Sequence, residues 1–485
     1  MKSVAITLSS SVASRAQIGR SPENIVDLDG HRSSAEQAAK DLVPVLSEDS
    51  IALEFVSRHL GLVRFNWTTG KWHVWSMNRW RKDDTAVAFS WTRALVRAMA
   101  SNEKSASDRR RLGSRKVADG VERFARTDDR IAVTHDHWDR DIDVLGTPSG
   151  IVDLRTGEVF DPDPELFITR ATSVDPDIAT GCLRWLQFID QITAGEPELK
   201  RFLQMWSGYC LTGETVEQKL VFIHGPGGTG KSTFAVTLQR IMADYASSAA
   251  METFSNSKFD QHPEQLARLE GVRMVVASET EAGHTWRENR VKLLTGGDKI
   301  TARFMRENSF DYKPKFKLTF LGNHAPAIAN LDTAIQRRFL VVPFMHKPAE
   351  PDLRLDEMLA QEMPGILRWM INGAVDWYTS GGLVIPKTVS EATTRYFDEQ
   401  NIFGQWLEEC CQVDPNTVLM EKTVDLFTSW SVFAKAHGEM PGTQRMFNDK
   451  LRSQGFNPDQ IKALGTKGCR GIRLKPTSHW QEDRS

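Results

Sequence analysis

The feature that most constrains this chain is the run Leu220-Val-Phe-Ile-His-Gly-Pro-Gly-Gly-Thr-Gly-Lys-Ser232. Apolar residues lead into a glycine loop that closes on a Lys-Ser pair, the pattern G-x-x-x-x-G-K-[ST]. The pattern predicts a buried strand over Leu220–Ile223 and a helix that begins near Lys231 and carries Ala235, Leu238 and Met242 on one face. The glycines let successive backbone N–H groups turn inward, and the helix N-terminus adds partial positive charge at the same point. Such a loop binds a nucleoside triphosphate with Mg²⁺. Gly225, Pro226, Gly227, Gly228, Thr229, Gly230, Lys231, Ser232 and Thr233 form the expected nucleotide-binding set, with Lys231 on the β- and γ-phosphates and Ser232 on Mg²⁺.

The segments that follow narrow the choice among loop-bearing ATPases. Gly271–Ala277 reads as a second buried strand and ends in Ser-Glu-Thr-Glu281. Acidic groups at the end of a strand beside such a loop hold the Mg²⁺ shell and orient the attacking water, so Glu279 and Glu281 are candidates. Either carboxylate also suits a helix N-terminus. Leu318–Leu321 is a third buried strand, and Asn323 at its end is placed to sense the γ-phosphate. Asp332 caps a short helix that leads to Arg337 and Arg338, just before an apolar strand over Leu340–Phe344. An arginine finger supplied across a subunit boundary, or surface ion pairing, would each use such a pair.

Between these strands, Lys292–Phe304 and Phe310–Lys317 read as a hairpin with its tip at Met305–Asn308. It carries Lys299, Arg303, Arg306, Lys313, Lys315 and Lys317, cations suited to nucleic-acid phosphates. Lysines on an edge strand also block aggregation.

The order of loop, Ser-Glu-Thr-Glu, Thr-Gly-Gly-Asp, Gly-Asn-His and Gln-Arg-Arg-Phe resembles the superfamily-3 helicase part of phage and plasmid (poxvirus-type) primase-helicases. Upstream, Thr69–Trp75 with Arg79-Trp-Arg81, Gly150–Glu158 and Gly208–Gly213 resemble that family's amino-terminal helicase-associated domain. The resemblance runs from about Leu53 to about Leu474. It implies an α/β fold: a P-loop NTPase (AAA+-like) motor core, an α+β helicase-associated N-terminal domain and a small C-terminal winged-helix-like domain. It also implies that Lys231 and Ser232 are the Walker A pair, Glu279 the metal-side acid and Glu281 a second acid. Asn323 becomes the sensor and Arg338 the finger, with Arg337 the alternative. In related helicases the second acid directly follows the first, whereas Thr280 intervenes here. The family forms hexameric rings on single-stranded DNA, with the basic hairpin in the channel.

The expected organisation is a mobile tail (1–45), the helicase-associated domain (46–205), the motor (206–345), a helical lid and linker (346–395) and the winged-helix-like domain (396–485). In the last of these, Thr443–Gly455 reads as a recognition helix that buries Met446, Phe447 and Leu451. Arg445, Lys450 and Arg452 would then face DNA phosphate, with Gly468–Lys475 as a wing. In the amino-terminal part, a helix from near Ser50 is expected to turn Leu53, Val56 and Leu60 inward. The tryptophans Trp67, Trp72, Trp75 and Trp80 are expected to pack across strands rather than stack on bases. Asp139, Asp141 and Asp143 alternate as in a two-metal site, but they run straight into the turn Leu145–Gly150, and a metal site there is set aside.

The 485 residues suffice for several domains, and the formal net charge of -2 excludes a uniformly basic binder. Charge is nevertheless uneven: residues 58–130 hold 17 Lys/Arg against 8 Asp/Glu, and residues 442–475 hold 8 against 2. Separate nucleic-acid-facing surfaces would produce that pattern. Five cysteines without a C-x-x-C spacing fit reduced thiols, and no apolar stretch reaches membrane-spanning length, so a cytoplasmic place in a bacterial host is expected. The leading expectation is an ATP- and Mg²⁺-dependent helicase acting on single-stranded or forked DNA, in a hexameric ring, with a separate primase as a further partner. An ATP-switched origin-binding or loading factor and a bifunctional primase-helicase are the rival readings.

Overall fold

The computed structural model describes residues 47–254, 264–278, 285–305, 309–324, 326–328, 332–414, 419–438 and 440–476. The expected tail at 1–45 lies outside them. The chain divides into two compact units. The first holds the residues up to Trp72 together with Asp83–Val133, and the second holds His73–Lys82 and everything from Thr134 onward. The boundary at Val133 falls within the helicase-associated domain expected over 46–205, so residues 134–205 share the second unit with the segments that follow them.

The first unit packs helices Glu48–Arg58, Val87–Asn102, Ala106–Leu112 and Arg115–Ala125 with a parallel strand pair, Val63–Asn66 and Ala132–Val133. A capping box between Ser47 and Ser50 starts the first helix. Ile51, Ala52, Phe55 and Val56 are its buried face. Leu53 and Leu60 are half exposed, so the expected phase is corrected: the i, i+4 pairs 51/55 and 52/56 define the stripe. The Trp72 indole donates to Glu122 Oε1 (2.6 Å), and that of Trp67 donates to the Arg126 carbonyl oxygen (2.9 Å).

The second unit is built on five parallel strands: β1 (Leu220–His224), β2 (Ala246–Ser248), β3 (Met274–Ser278), β4 (Lys317–Gly322) and β5 (Phe339–Pro343). They lie in the order β5-β1-β4-β3-β2. Both faces are covered, which explains why the strands are near-continuous apolar runs rather than alternating ones. On one face Val221, Ile223, Met274, Val276, Leu321, Leu340 and Val342 meet helices Leu183–Ile192, Pro197–Leu211, Lys231–Met242 and Met363–Ser380. On the other, Leu220, Phe222, Val275, Phe320 and Val341 meet Trp286, Tyr396 and Phe397. The last two rings sit on helix Lys387–Gln400, which runs past the end of the helical lid and linker expected over 346–395. Its signal was the apolar spacing Val389, Tyr396, Phe397, diluted by the polar residues between them.

In the second unit His73–Ser76 pairs antiparallel with Arg79–Lys82, and Trp75 and Trp80 face each other across it with rings 5.5 Å apart, as cross-strand packing requires. A carboxy-terminal subdomain combines helices Ile402–Cys410, Thr423–Ala436 and Gln444–Ser453 with short antiparallel strands around Thr466–Arg470. Trp406, Trp430, Phe447 and Leu451 form its core. Met446, expected inside, is exposed. Among the described residues no helix is long and apolar enough to cross a membrane, and the five cysteines are free.

Candidate nucleotide site and basic surfaces

The register pairs His224 with Gly322 on one side and with Pro343 on the other. The carboxyl ends of β5, β1 and β4 are therefore level, and the glycine loop and Asn323 leave the sheet from adjacent strands. In open parallel sheets this edge is where ligands bind. Gly225 is required by close approach, since a Cβ there would overlap the Phe344 carbonyl oxygen. Gly230, at φ +86°, closes the loop against Phe188 and Ile192. The helix then runs from Lys231 to Met242 as expected. Pro226, Gly227, Gly228 and Ser232 are exposed, while Thr229 is buried and donates to the Pro226 carbonyl oxygen at 3.0 Å.

The Lys231 side chain is folded back over the loop. Its ammonium donates to the carbonyl oxygens of Gly225 (2.6 Å) and Pro226 (2.8 Å) and to Asn323 Oδ1 (2.8 Å). Two residues 92 positions apart are thus in direct contact. Burial holds the Lys231 pKa below the ordinary lysine value and lowers that of His224 beneath it. An ammonium resting on three neutral oxygens with no carboxylate among them is poised to accept an anion. Thr233 is half-buried on the helix's first turn.

Lys347 was not singled out from the sequence. Its Cε lies 3.2 Å from where a Cβ of Gly228 would be, so its exposed stem lies along the loop. No motif marks it. Its place follows from β5 being the neighbour of β1, which only the strand order shows. Glu279 and Glu281 follow the end of β3 at Ser278 and lie outside the described residues.

The finger expectation changes. Arg338 is buried at 7 % exposure and donates to Thr295 Oγ1 (3.1 Å) and to the Ala334 carbonyl oxygen. The Arg338 guanidinium is thus hydrogen-bonded within its own chain. Arg337 is exposed and touches Gln218 Oε1 at 3.2 Å; of the pair, it is the one that can reach outward.

The basic hairpin forms, with Ile300–Ala302 antiparallel to Phe310–Tyr312 and the Phe304 and Phe310 rings stacked near its tip. Lys299, Arg303 and Lys313 are exposed; Arg306 lies outside the described residues. Lys315 and Lys317 are corrected. The Lys315 ammonium donates to the Asp139 carbonyl oxygen (2.7 Å). Lys317 begins β4 at 2 % exposure, donates to the carbonyl oxygens of Thr212 and Glu214 and lies over the Tyr209 ring. Burial pushes its pKa down to about 7. Both lysines neutralise orphan backbone oxygens inside the fold and are unavailable to phosphates.

The aspartates at 139–143 have structural partners. Asp139 accepts from the Thr169 backbone N–H (2.9 Å) and hydroxyl, Asp141 from the Asp143 N–H (2.9 Å), and Asp143 from Arg155 (2.7 Å) and the Tyr378 hydroxyl. Among the described residues no cluster of three or more His, Cys, Asp or Glu is arranged to hold a metal. On helix Gln444–Ser453, Arg445 is exposed. The Lys450 ammonium lies over the Trp430 ring at 5.0 Å, and Arg452 pairs with Asp449 at 2.7 Å. Lys450 is therefore partly committed to the core.

Comparison with known proteins bears on this arrangement. The family described as "D5 N terminal like" matches residues 53–194, and a family of unknown function (DUF5906) matches residues 223–338. "Putative helicase L207/L206" of Acanthamoeba polyphaga mimivirus is 24% identical over 337 residues, 63% of this chain and 34% of that protein. "Putative helicase 022R" of Frog virus 3 is 26% identical over 272 residues, 49% of this chain and 27% of that protein. The chain thus spans about a third or less of the length of these curated relatives. Among solved structures, the apo A form of the NrS-1 C-terminal region aligns at a TM-score of 0.50 with 12% identity, covering 88% of this chain and 99% of that one, a likeness of fold. The chain resembles the phage primase-helicase family, as its motif order implied, and the names of its viral relatives point to an enzyme of the helicase kind.

Proposed function

We propose that this chain is an ATP-driven DNA helicase of superfamily 3, working in the replication system of a phage, prophage or plasmid. The observation that carries the reading is the contact between Lys231 and Asn323, made at the level ends of adjacent strands and beneath an exposed glycine loop. The sheet order β5-β1-β4-β3-β2 suits an AAA+-like P-loop core. The viral relatives named as helicases support the choice among loop-bearing ATPases.

In this reading ATP enters with its phosphates over Pro226–Gly230. Lys231 exchanges its carbonyl partners for β- and γ-phosphate oxygens, and backbone N–H groups at the helix start take up further charge. The donor set fits Mg²⁺, because Ser232 presents an exposed hydroxyl in the first helical turn. That ion supplies charge neutralisation between the phosphates. Asn323, released by Lys231, orients the attacking water, assisted by a carboxylate at Glu279 or Glu281. Arg337 of a neighbouring subunit in a hexameric ring stabilises charge on the transferred group. Lys299, Arg303 and Lys313 follow one DNA strand, and the winged-helix-like subdomain offers Arg445 and Arg452 to the phosphate backbone.

Strand displacement tests the reading. The wild type should unwind a forked duplex with ATP, and Lys231→Ala should not. Vigorous hydrolysis with no fork geometry ever unwound would replace the motor with an ATP-switched loader.

A further inference from the structure

The proposed function leaves a basic surface of the first unit without a task. Helices Val87–Asn102 and Arg115–Ala125 border two adjoining depressions of about 590 and 1030 Å³, which share Arg115, Asp119 and Glu122. Their basic lining is Arg93, Arg97, Arg115, Lys116, Arg123 and Arg126, against the acids Glu48, Asp119 and Glu122. Two of these acids are already engaged: Glu122 takes Arg126 (2.6 Å) and the Trp72 indole, and Asp119 takes Arg115 (3.2 Å). Arg93, Arg97, Lys116 and Arg123 are exposed and have no ion-pair partner among the described residues.

Their spacing is orderly. Arg93 and Arg97 are four residues apart on one helix, and Lys116 and Arg123 are seven apart on the other, so each pair shares a helical face. With six basic groups against three acids, and four of the six outside any ion pair, the lining of the two depressions is net positive and suits a polyanion. The lining is poor in stacking surface, with Phe124 its one ring more than a third exposed, and single-strand grooves rely on such rings. Contacts through basic side chains alone position a duplex backbone without reading its bases.

We infer that this cleft binds the phosphate backbone of double-stranded DNA, independently of sequence, as a holding site separate from the hairpin that contacts the single strand. The inference rests on the reading that the chain acts on DNA. It divides the work: the first unit grips parental duplex while the second unit's ATPase moves along one strand.

The test uses the full chain and the variant R93Q/R97Q/K116Q/R123Q, with fluorescence anisotropy on a blunt labelled duplex across a salt series. Removing four phosphate contacts should lower the slope of log K against log salt by about 3 to 4. It should also weaken duplex binding by at least tenfold at moderate salt. Binding to a thymidine single strand and ATP hydrolysis without DNA should stay at wild-type levels, with circular dichroism confirming the fold. An unchanged slope on duplex, in a protein that still binds single strands, overturns this inference alone. Equal binding of polyglutamate by the cleft would also overturn it, pointing to an acidic protein partner. If the wild type binds neither duplex nor single strand, the reading of the chain as a DNA enzyme falls with it.

Discussion

The loop edge of the parallel sheet and the basic segment from Lys299 to Lys317 lie in the same unit, and they answer differently to physical reasoning from sequence. At the loop, the glycines and the Lys-Ser pair dictate a local backbone course. The structure places strand, loop and helix where the pattern puts them. In the basic segment, one charge type serves two purposes. Lys299, Arg303 and Lys313 stand in solvent, while Lys315 and Lys317 satisfy carbonyl oxygens from chain segments more than 100 residues away. A lysine's charge is visible in sequence; whether its ammonium ends on water, phosphate or a buried carbonyl is decided by topology.

The sharpest break between the two kinds of cation is expected at the adjacent arginines. Arg337→Ala should reduce ATP hydrolysis by about 10³-fold while nucleotide binding persists, because in the proposed ring the group would act on a neighbour's transition state. Arg338→Ala should instead cost about 2 kcal/mol of stability, read as a lowered Tm, by leaving Thr295 Oγ1 and the Ala334 carbonyl oxygen short of a donor. The reverse pattern would restore Arg338 as the finger.

A smaller effect should separate the exposed hairpin cations. The combined variant of Lys299, Arg303 and Lys313 to alanine should lose about tenfold in stimulation by single-stranded DNA, and its salt slope should fall by about 2, with basal hydrolysis kept. Lys315→Ala should leave the slope unchanged and lower stability only.

A last contrast concerns pH. Lys317 has its pKa depressed to about 7 in the folded chain, against about 10.4 when unfolded. Between those values the unfolded chain binds a proton that the native one lacks, so stability from this group rises with pH there and is flat below about 7. Urea unfolding of wild type and Lys317→Met from pH 7 to pH 10 should show this rise, at most about 1.4 kcal/mol per pH unit, in the wild type alone. Matching slopes would place Lys317 in water.

What was legible in the sequence was local. Apolar runs located β1, β3, β4 and β5, and the loop pattern located the start of the helix Lys231–Met242. What was not legible depended on neighbours distant in sequence. The boundary at residue 133 follows from which helices pack together, and the helix Lys387–Gln400 is fixed by the fit of Tyr396 and Phe397 against β5 and Trp286. The Lys231–Asn323 contact was anticipated as two roles on one phosphate, while the strand order that creates it appears only in three dimensions. Lys347 reaches the loop by that same order.

The most direct test of the central claim is ATP turnover by the wild type, Lys231→Ala and the Lys299/Arg303/Lys313 variant, each with and without single-stranded DNA. The account predicts no turnover in the first variant under either condition, and basal turnover without DNA stimulation in the second. Turnover that survives in Lys231→Ala would contradict it, because the loop would then not be where the nucleotide reacts.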